Sequence, residues 1–318
     1  MSQVHSEGRW SYELSYTADV ALSRLEEVAA KSQYGWGQTV ELAAGVCQQG
    51  FLGVKWRQIL ATFDGLGWLG GDLRGKAVAD VGCFSGAMSL SLADRGAKVV
   101  AVDEVPEHLE QARVLADVFG AGSDLTCVSA SLYDLHDHLD SESLDVVVLS
   151  GVLYHLSDML AGLIAAQQLL KPGGRLLIQT NAVENFEASY ANFGRFYAGW
   201  WWQPTALCIR DMTEFAGLTR ADVHFYEPGR CVARAEKPSE ATDPQDVVPF
   251  KRGIHWSFSN LDDSEYRHLD ASALAPAPDP KGDRALARRW VSRVASTATR
   301  RLISLAAGIR ARFQGARR

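Results

Sequence analysis

Three features of the sequence predict an α/β fold built on a mostly parallel sheet with helices on both faces. From Gly75 onward, short apolar runs alternate with stretches of helical length, as expected for strands buried on both sides. The first run ends in Asp80-Val-Gly-Cys-Phe-Ser-Gly86, an acid and a glycine-bearing turn that opens a helix. The second run ends in another acid, Asp103, about twenty residues after the turn, where a carboxylate can meet the hydroxyls of a nucleoside.

The elements follow in order. Residues 1–74 read as a helical extension, with Ala21, Leu22, Leu25 and Val28 at helical spacing, an aromatic loop over 34–42 and a second helix over 55–63. Strands are expected at 76–80, 98–103, 125–129, 144–149 and 175–180, with helices at 87–94, 106–118 and 159–170, the last stopped by Lys171-Pro-Gly-Gly174. Two further runs, 221–227 and 230–235, pair as a hairpin across Pro228-Gly229. Five parallel strands and this hairpin make seven. Residues 181–218 form an aromatic-rich insertion carrying Phe186, Tyr190, Phe193, Phe196, Tyr197 and Trp200-Trp201-Trp202. At the C-terminal edge of a parallel sheet it is placed either to cap a ligand or simply to cover the sheet. Residues 238–282, rich in Pro, Asp, Ser and Ala, read as a linker.

Residues 283–318 regain helical periodicity. Leu286, Trp290, Val294, Leu302, Leu305, Ile309 and Phe313 form an apolar stripe with most arginines opposite it. The segment 281–318 carries a local charge of +10 on a chain of net charge −6, leaving −16 on the remainder. A basic amphipathic helix can lie at the inner face of a membrane, dock on its own acidic body or a partner, or bind nucleic acid. The acidic body disfavours broad RNA contact.

Five scattered cysteines, with no Cys/His cluster at metal-ligand spacing, indicate neither a disulfide framework nor a metal site. No signal peptide and no apolar run of membrane-spanning length is visible. The expected location is cytoplasmic, peripheral at the inner face of the membrane where the tail takes the first of those three roles.

The glycine turn carries the chemistry. Gly82 and Gly86 let backbone pass close to a ligand, and the helix start offers free N–H groups. Asp80 or its neighbours would face a positive group on that ligand. A dinucleotide binder needs a second glycine where this chain has Phe84, which crowds the place of a pyrophosphate. Asp103 accepts from ribose hydroxyls or, alternatively, caps the next helix. Tyr154-His155 follows the fourth strand, where an imidazole can act as a base or simply order the loop. His224 reads as a strand residue.

The succession DVGCFSG, VVAVD, LDVVVLSGVLYHL and LLKPGGRLLIQT resembles, in order and spacing, the motifs of class I S-adenosylmethionine-dependent methyltransferases over residues 75–237. The resemblance implies the seven-stranded Rossmann-like methyltransferase sheet, with S-adenosylmethionine held among Asp80, Gly82, Cys83, Ser85, Gly86, Asp103, Glu104, Ser131, Ser150 and Gly151. The segments YGWGQTVEL, GVKWRQIL, GVLYHLSDML and WWWQPTALCIRDMTEFAGL are similar to the bacterial tRNA wobble-uridine carboxymethyltransferase group. That group uses a carboxylated cofactor held by cationic and aromatic residues. Lys55 matches one family cation, but Gly50 stands where a tryptophan is expected and 43–49 lacks the earlier lysine, which favours the ordinary cofactor.

The expected activity is therefore methyl transfer, onto oxygen of a small-molecule or carbohydrate acceptor. His155 and Tyr154 are the candidate catalytic residues; Trp36, Lys55, Tyr197, Trp201 and Trp202 are the candidate acceptor contacts. A tRNA wobble-uridine modifier is the runner-up. An NAD-dependent oxidoreductase and a non-catalytic membrane-docked binding protein are the alternatives from other classes.

Overall fold

The computed structural model describes residues 10–195 and 199–239. The tail over 283–318, nearly all of the linker and the ring of Tyr197 lie outside the described residues. The chain begins with α1 (Ala18–Ala29), whose Ala21, Leu25 and Val28 face inward. The aromatic loop expected next is partly a hairpin, β1 (Val40–Ala43) against β2 (Val46–Gln48). Its strands are too short for a periodicity to register, yet Val40 and Leu42 alternate into the core and Gly45 turns at φ +79. Helix α2 (Lys55–Gly65) buries Trp56, Ile59, Leu60 and Phe63 on one face.

The alternating units follow: β3 (Ala77–Val81), α3 (Ala87–Asp94), β4 (Lys98–Asp103), α4 (Pro106–Val118), β5 (Leu125–Ser129), β6 (Leu144–Ser150), α5 (Met159–Leu169) and β7 (Leu170–Asn181). Pro106 starts α4 where its missing N–H costs nothing, and the Asp158 side chain caps α5 by accepting from the Ala161 N–H. Strand β7 begins earlier than 175 because its glycines continue the pairing. Gly173 donates to the Lys237 carbonyl, and Lys237 donates back to that of Gly174.

Within the expected insertion only the first part is extra, a two-stranded ribbon of β8 (Ala191–Phe193) and β9 (Trp202–Pro204). The remainder is α6 (Ala206–Phe215), capped by Thr205. Strands β10 (Asp222–Glu227) and β11 (Arg230–Glu236) close the chain as the expected hairpin, with Gly229 at φ +77 in its turn.

The sheet order is β10, β11, β7, β6, β3, β4, β5, with β7 through β5 parallel and the hairpin antiparallel. This is the seven-stranded Rossmann-like sheet. Strand alternation feeds two cores: Val78, Val146 and Val148 pack under α2, α3 and α4, while Ala79, Val147 and Leu149 pack under α5 and α6. Strand β3 has β4 on one side and β6 on the other, so the connections leaving the sheet diverge above it and open a crevice.

The extension is fastened to this sheet by a two-pronged ion pair. Arg95, just after α3 and buried, places Nη1 at 2.8 Å and Nη2 at 2.9 Å from the two carboxylate oxygens of Asp64 in α2. Removing one partner strands a charge that has little water around it. Asp64→Ala is expected to lower stability by about 2 kcal/mol, discounted because Asp64 is partly solvated; urea unfolding of the variant and the parent checks it.

Candidate functional site

The C-terminal ends of β3, β4 and β6 surround a cavity of about 590 Å³, within the range of small-ligand sites. Its floor is the turn after β3. Gly82 has φ +71, and a Cβ there would lie 2.5 Å from the Val152 side chain, so the close approach admits only glycine. Phe84 follows in the left-handed region at φ +54, uncommon for a residue with a side chain. Its N–H donates to Asp103 Oδ2 at 3.0 Å. Its ring lies 3.9 Å from the imidazole of His108 and 5.6 Å from the ring of Phe51, centroid to centroid. It also covers Gly37, where a Cβ would collide with it at 1.7 Å.

Asp103, at the tip of β4, is almost fully buried and heavily engaged. Its Oδ1 accepts from the Val105 N–H at 3.0 Å and from His108 Nδ1 at 3.1 Å. The start of α3 is engaged as well: Gln38 Oε1 accepts from the Ala87 N–H at 2.9 Å, and the Gln38 N–H donates to Ser85 Oγ at 2.8 Å. In a dinucleotide site that helix terminus meets a pyrophosphate. Here a side chain of the extension holds it and the Phe84 ring stands beside it.

The opposite wall carries Ser150, Gly151, Tyr154 and His155. The Tyr154 and His155 rings are 4.2 Å apart. Burial pushes the His155 imidazole below the usual histidine range; a hydrogen bond to the Gly199 backbone opposes this, and the Arg230 guanidinium assists it. Arg230 also lies 5.7 Å from the centre of the Tyr154 ring. Lys55 borders the same cavity. Neither cation has a carboxylate at ion-pair distance among the described residues.

Of the residues expected around a cofactor, Gly82, Asp103, Glu104, Ser150 and Gly151 line the cavity. The others serve the scaffold. Asp80 is 1% exposed and accepts from Ser89 Oγ at 2.6 Å beneath α3. Cys83 is buried, its thiol pushed up by desolvation. Ser85 holds Gln38, Gly86 allows α3 to pack on Ala112 of α4, and Ser131 caps a short 3-10 turn. Among the expected acceptor contacts, Lys55 is on the wall. Trp36 is instead buried in the core, its indole N–H donating to the Gln38 carbonyl.

Trp201 and Trp202 are not among the described residues that line the cavity. The Trp201 N–H donates to the Tyr154 carbonyl, and Trp202 Nε1 donates to that of Ser157. The described part of the ribbon thereby braces the Tyr154-His155 turn. Gln38, Phe51, Phe84, His108, Gln179 and Arg230 line the cavity too. Of these, Phe84 is marked in the sequence by its place at the crowded point of the turn, and His108 by its imidazole in the first turn of the helix after Asp103.

The geometry suits an adenosyl group: an acid at the tip of the second parallel strand, a glycine floor and an apolar wall including Leu132 and Val105. The chain is similar to known methyltransferases. Residues 79–178 match a family model described as a methyltransferase domain. The chain is 32% identical over 163 residues to a tRNA U34 carboxymethyltransferase of Desulfotalea psychrophila, covering 49% of each chain. It is 38% identical over 108 residues to a ubiquinone biosynthesis O-methyltransferase of Idiomarina loihiensis, covering 34% of this chain and 43% of that one. It thus spans about half the length, or less, of these curated relatives. A solved 1,6-didemethyltoxoflavin-N1-methyltransferase of Burkholderia thailandensis matches at TM-score 0.46 and 22% identity, covering 57% of this chain and 78% of that one.

Burial, opposed by the Ser89 hydrogen bond and assisted by nearby Asp103, pushes the Asp80 carboxyl up to about 7. A carboxyl raised above its unfolded value near 3.9 adds stability at low pH, and that contribution is lost as pH rises through the folded value. Asp80→Asn is therefore expected to remove a decline in stability between about pH 4 and about pH 7. Thermal melts of parent and variant across that window check it; parallel profiles contradict it.

Proposed function

We propose, from the premise that residues 79–178 are a class I, S-adenosylmethionine-dependent methyltransferase domain, that the chain transfers a methyl group to oxygen on a small-molecule or carbohydrate acceptor. The observation that carries this reading is His155, whose imidazole borders the same cavity as Gly82 and Asp103 and is held toward its neutral form by burial and by Arg230. A neutral imidazole can take a hydroxyl proton, which methylation of oxygen requires and which an already acidic acceptor does not.

S-adenosylmethionine, when bound, supplies a methyl group on a positively charged sulfur. The residues of the chain do the rest. Asp103 accepts from a ribose hydroxyl, Gly82 lets the ligand lie against the backbone, and the apolar wall keeps water away from the reacting end. Tyr154 fixes one side of His155 and the braced turn fixes the other, so most of the rate comes from alignment. The O-methyltransferase relative agrees with an oxygen acceptor, and a cavity of about 590 Å³ with a small one.

A second reading has its own support. Lys55 and Arg230 border the cavity with no carboxylate at ion-pair distance among the described residues, which suits a tRNA wobble-uridine modifier with a carboxylated cofactor, and one relative bears the name tRNA U34 carboxymethyltransferase.

Incubation with methyl-labelled S-adenosylmethionine and separate small-metabolite, lipid-sugar and RNA fractions is expected to label either of the first two. Label confined to RNA overturns the first reading in favour of the second. With the acceptor so found, His155→Asn is expected to lower kcat by about 100-fold or more with unchanged binding of S-adenosylhomocysteine. The acid limb of the parent's rate profile should fall below the usual histidine range. A variant at parental rate removes the base.

A further inference from the structure

The surroundings of Asp103 contain a group to which no role has been given. His108 lies in the first turn of α4, is 8% exposed, and borders the cavity. Its Nδ1 stands 3.1 Å from Asp103 Oδ1. A carboxylate only accepts, so the proton of that bond is on Nδ1. The other ring nitrogen, Nε2, is buried and has no partner among the described residues. A buried polar atom left unpaired carries a desolvation cost that leucine or phenylalanine in the same place would not. Packing alone therefore does not account for a histidine here; the Nδ1 donor does.

The arithmetic of Asp103 says what that donor achieves. A carboxylate has about four acceptor positions, and three are filled from within: Phe84 N–H on Oδ2, and Val105 N–H and His108 Nδ1 on Oδ1. The carboxylate plane is then fixed from both ends, and the remaining position is on Oδ2.

We propose that His108 is a positioning residue for nucleoside binding: it locks the Asp103 carboxylate so that a single acceptor site, aimed at a ribose hydroxyl, is presented to the cavity. This rests on the methyltransferase reading. It implies that Asp103 takes one hydroxyl rather than both, and that its affinity for the sugar depends on His108 as well as on Asp103 itself.

Calorimetry with S-adenosylhomocysteine on the full chain tests it. His108→Leu is expected to weaken binding about tenfold, as loss of a hydrogen bond to a charged group would. His108→Asn, whose amide can place an N–H near the Nδ1 position, should return to within about threefold of the parent. In an Asp103→Asn background, His108→Leu should cost less than about twofold, because the two residues act as one unit. If the unaltered chain fails to bind the probe, the methyltransferase reading falls and this role with it. If it binds and His108→Leu binds equally, or if the asparagine variant is as weak as the leucine one, only the role of His108 is overturned.

Discussion

The hydrogen bond from the Phe84 N–H to Asp103 Oδ2 joins the tips of β3 and β4, and the rest of the site follows from it. Phe84 is held at φ +54, where a side chain costs on the order of 1 kcal/mol or more. A charge-assisted bond in a nearly dry place offsets that cost. With the backbone turned this way, the ring is thrown onto Gly37 and against His108. The extension is then close enough for Gln38 to reach the start of α3. One bond thus sets the shape of the floor, the docking of the extension and the choice of ligand at the helix terminus.

That choice separates two chemistries served by the same sheet. A dinucleotide needs the open N–H groups of the crossover helix and a glycine at the crowded point of the turn. This chain fills the first with Gln38 and the second with Phe84. What stays available is a glycine floor, one acceptor position on Asp103, and an apolar wall ending in Tyr154, His155, Lys55 and Arg230. The acidic end suits a sugar; the far end holds a neutral-leaning imidazole near Arg230. Such polarity orders a ligand along the cavity.

Much of the fold was legible because the signals are periodic. Helices α3 and α4 and strands β4 and β5 begin and end where the apolar spacing and Pro106 say they should. The β1 and β2 hairpin escaped notice because four-residue and three-residue strands leave no period to count. The site was legible in its acid and its glycine, less so in what surrounds them. The motif puts Asp80 where a ligand contact is expected, yet strand alternation turns it to the face of Val78, under α3, and that alternation is legible in the sequence. The aromatic composition around Trp201 and Trp202 fits a cap and a sheet cover alike, and the bonds from Trp201 to Tyr154 and from Trp202 to Ser157 depend on pairing that no local pattern announces. Gln38 and Arg230 reach the cavity from segments more than a hundred residues apart, so only the folded chain brings them together.

The claim on which the account turns is that the crevice accepts an adenosyl sulfur compound and refuses a dinucleotide. Titrating the full chain by calorimetry with S-adenosylhomocysteine and, separately, with NAD measures this directly. The account predicts saturable one-to-one binding of the first and no measurable heat from the second. Saturable binding of NAD with none of S-adenosylhomocysteine would contradict it.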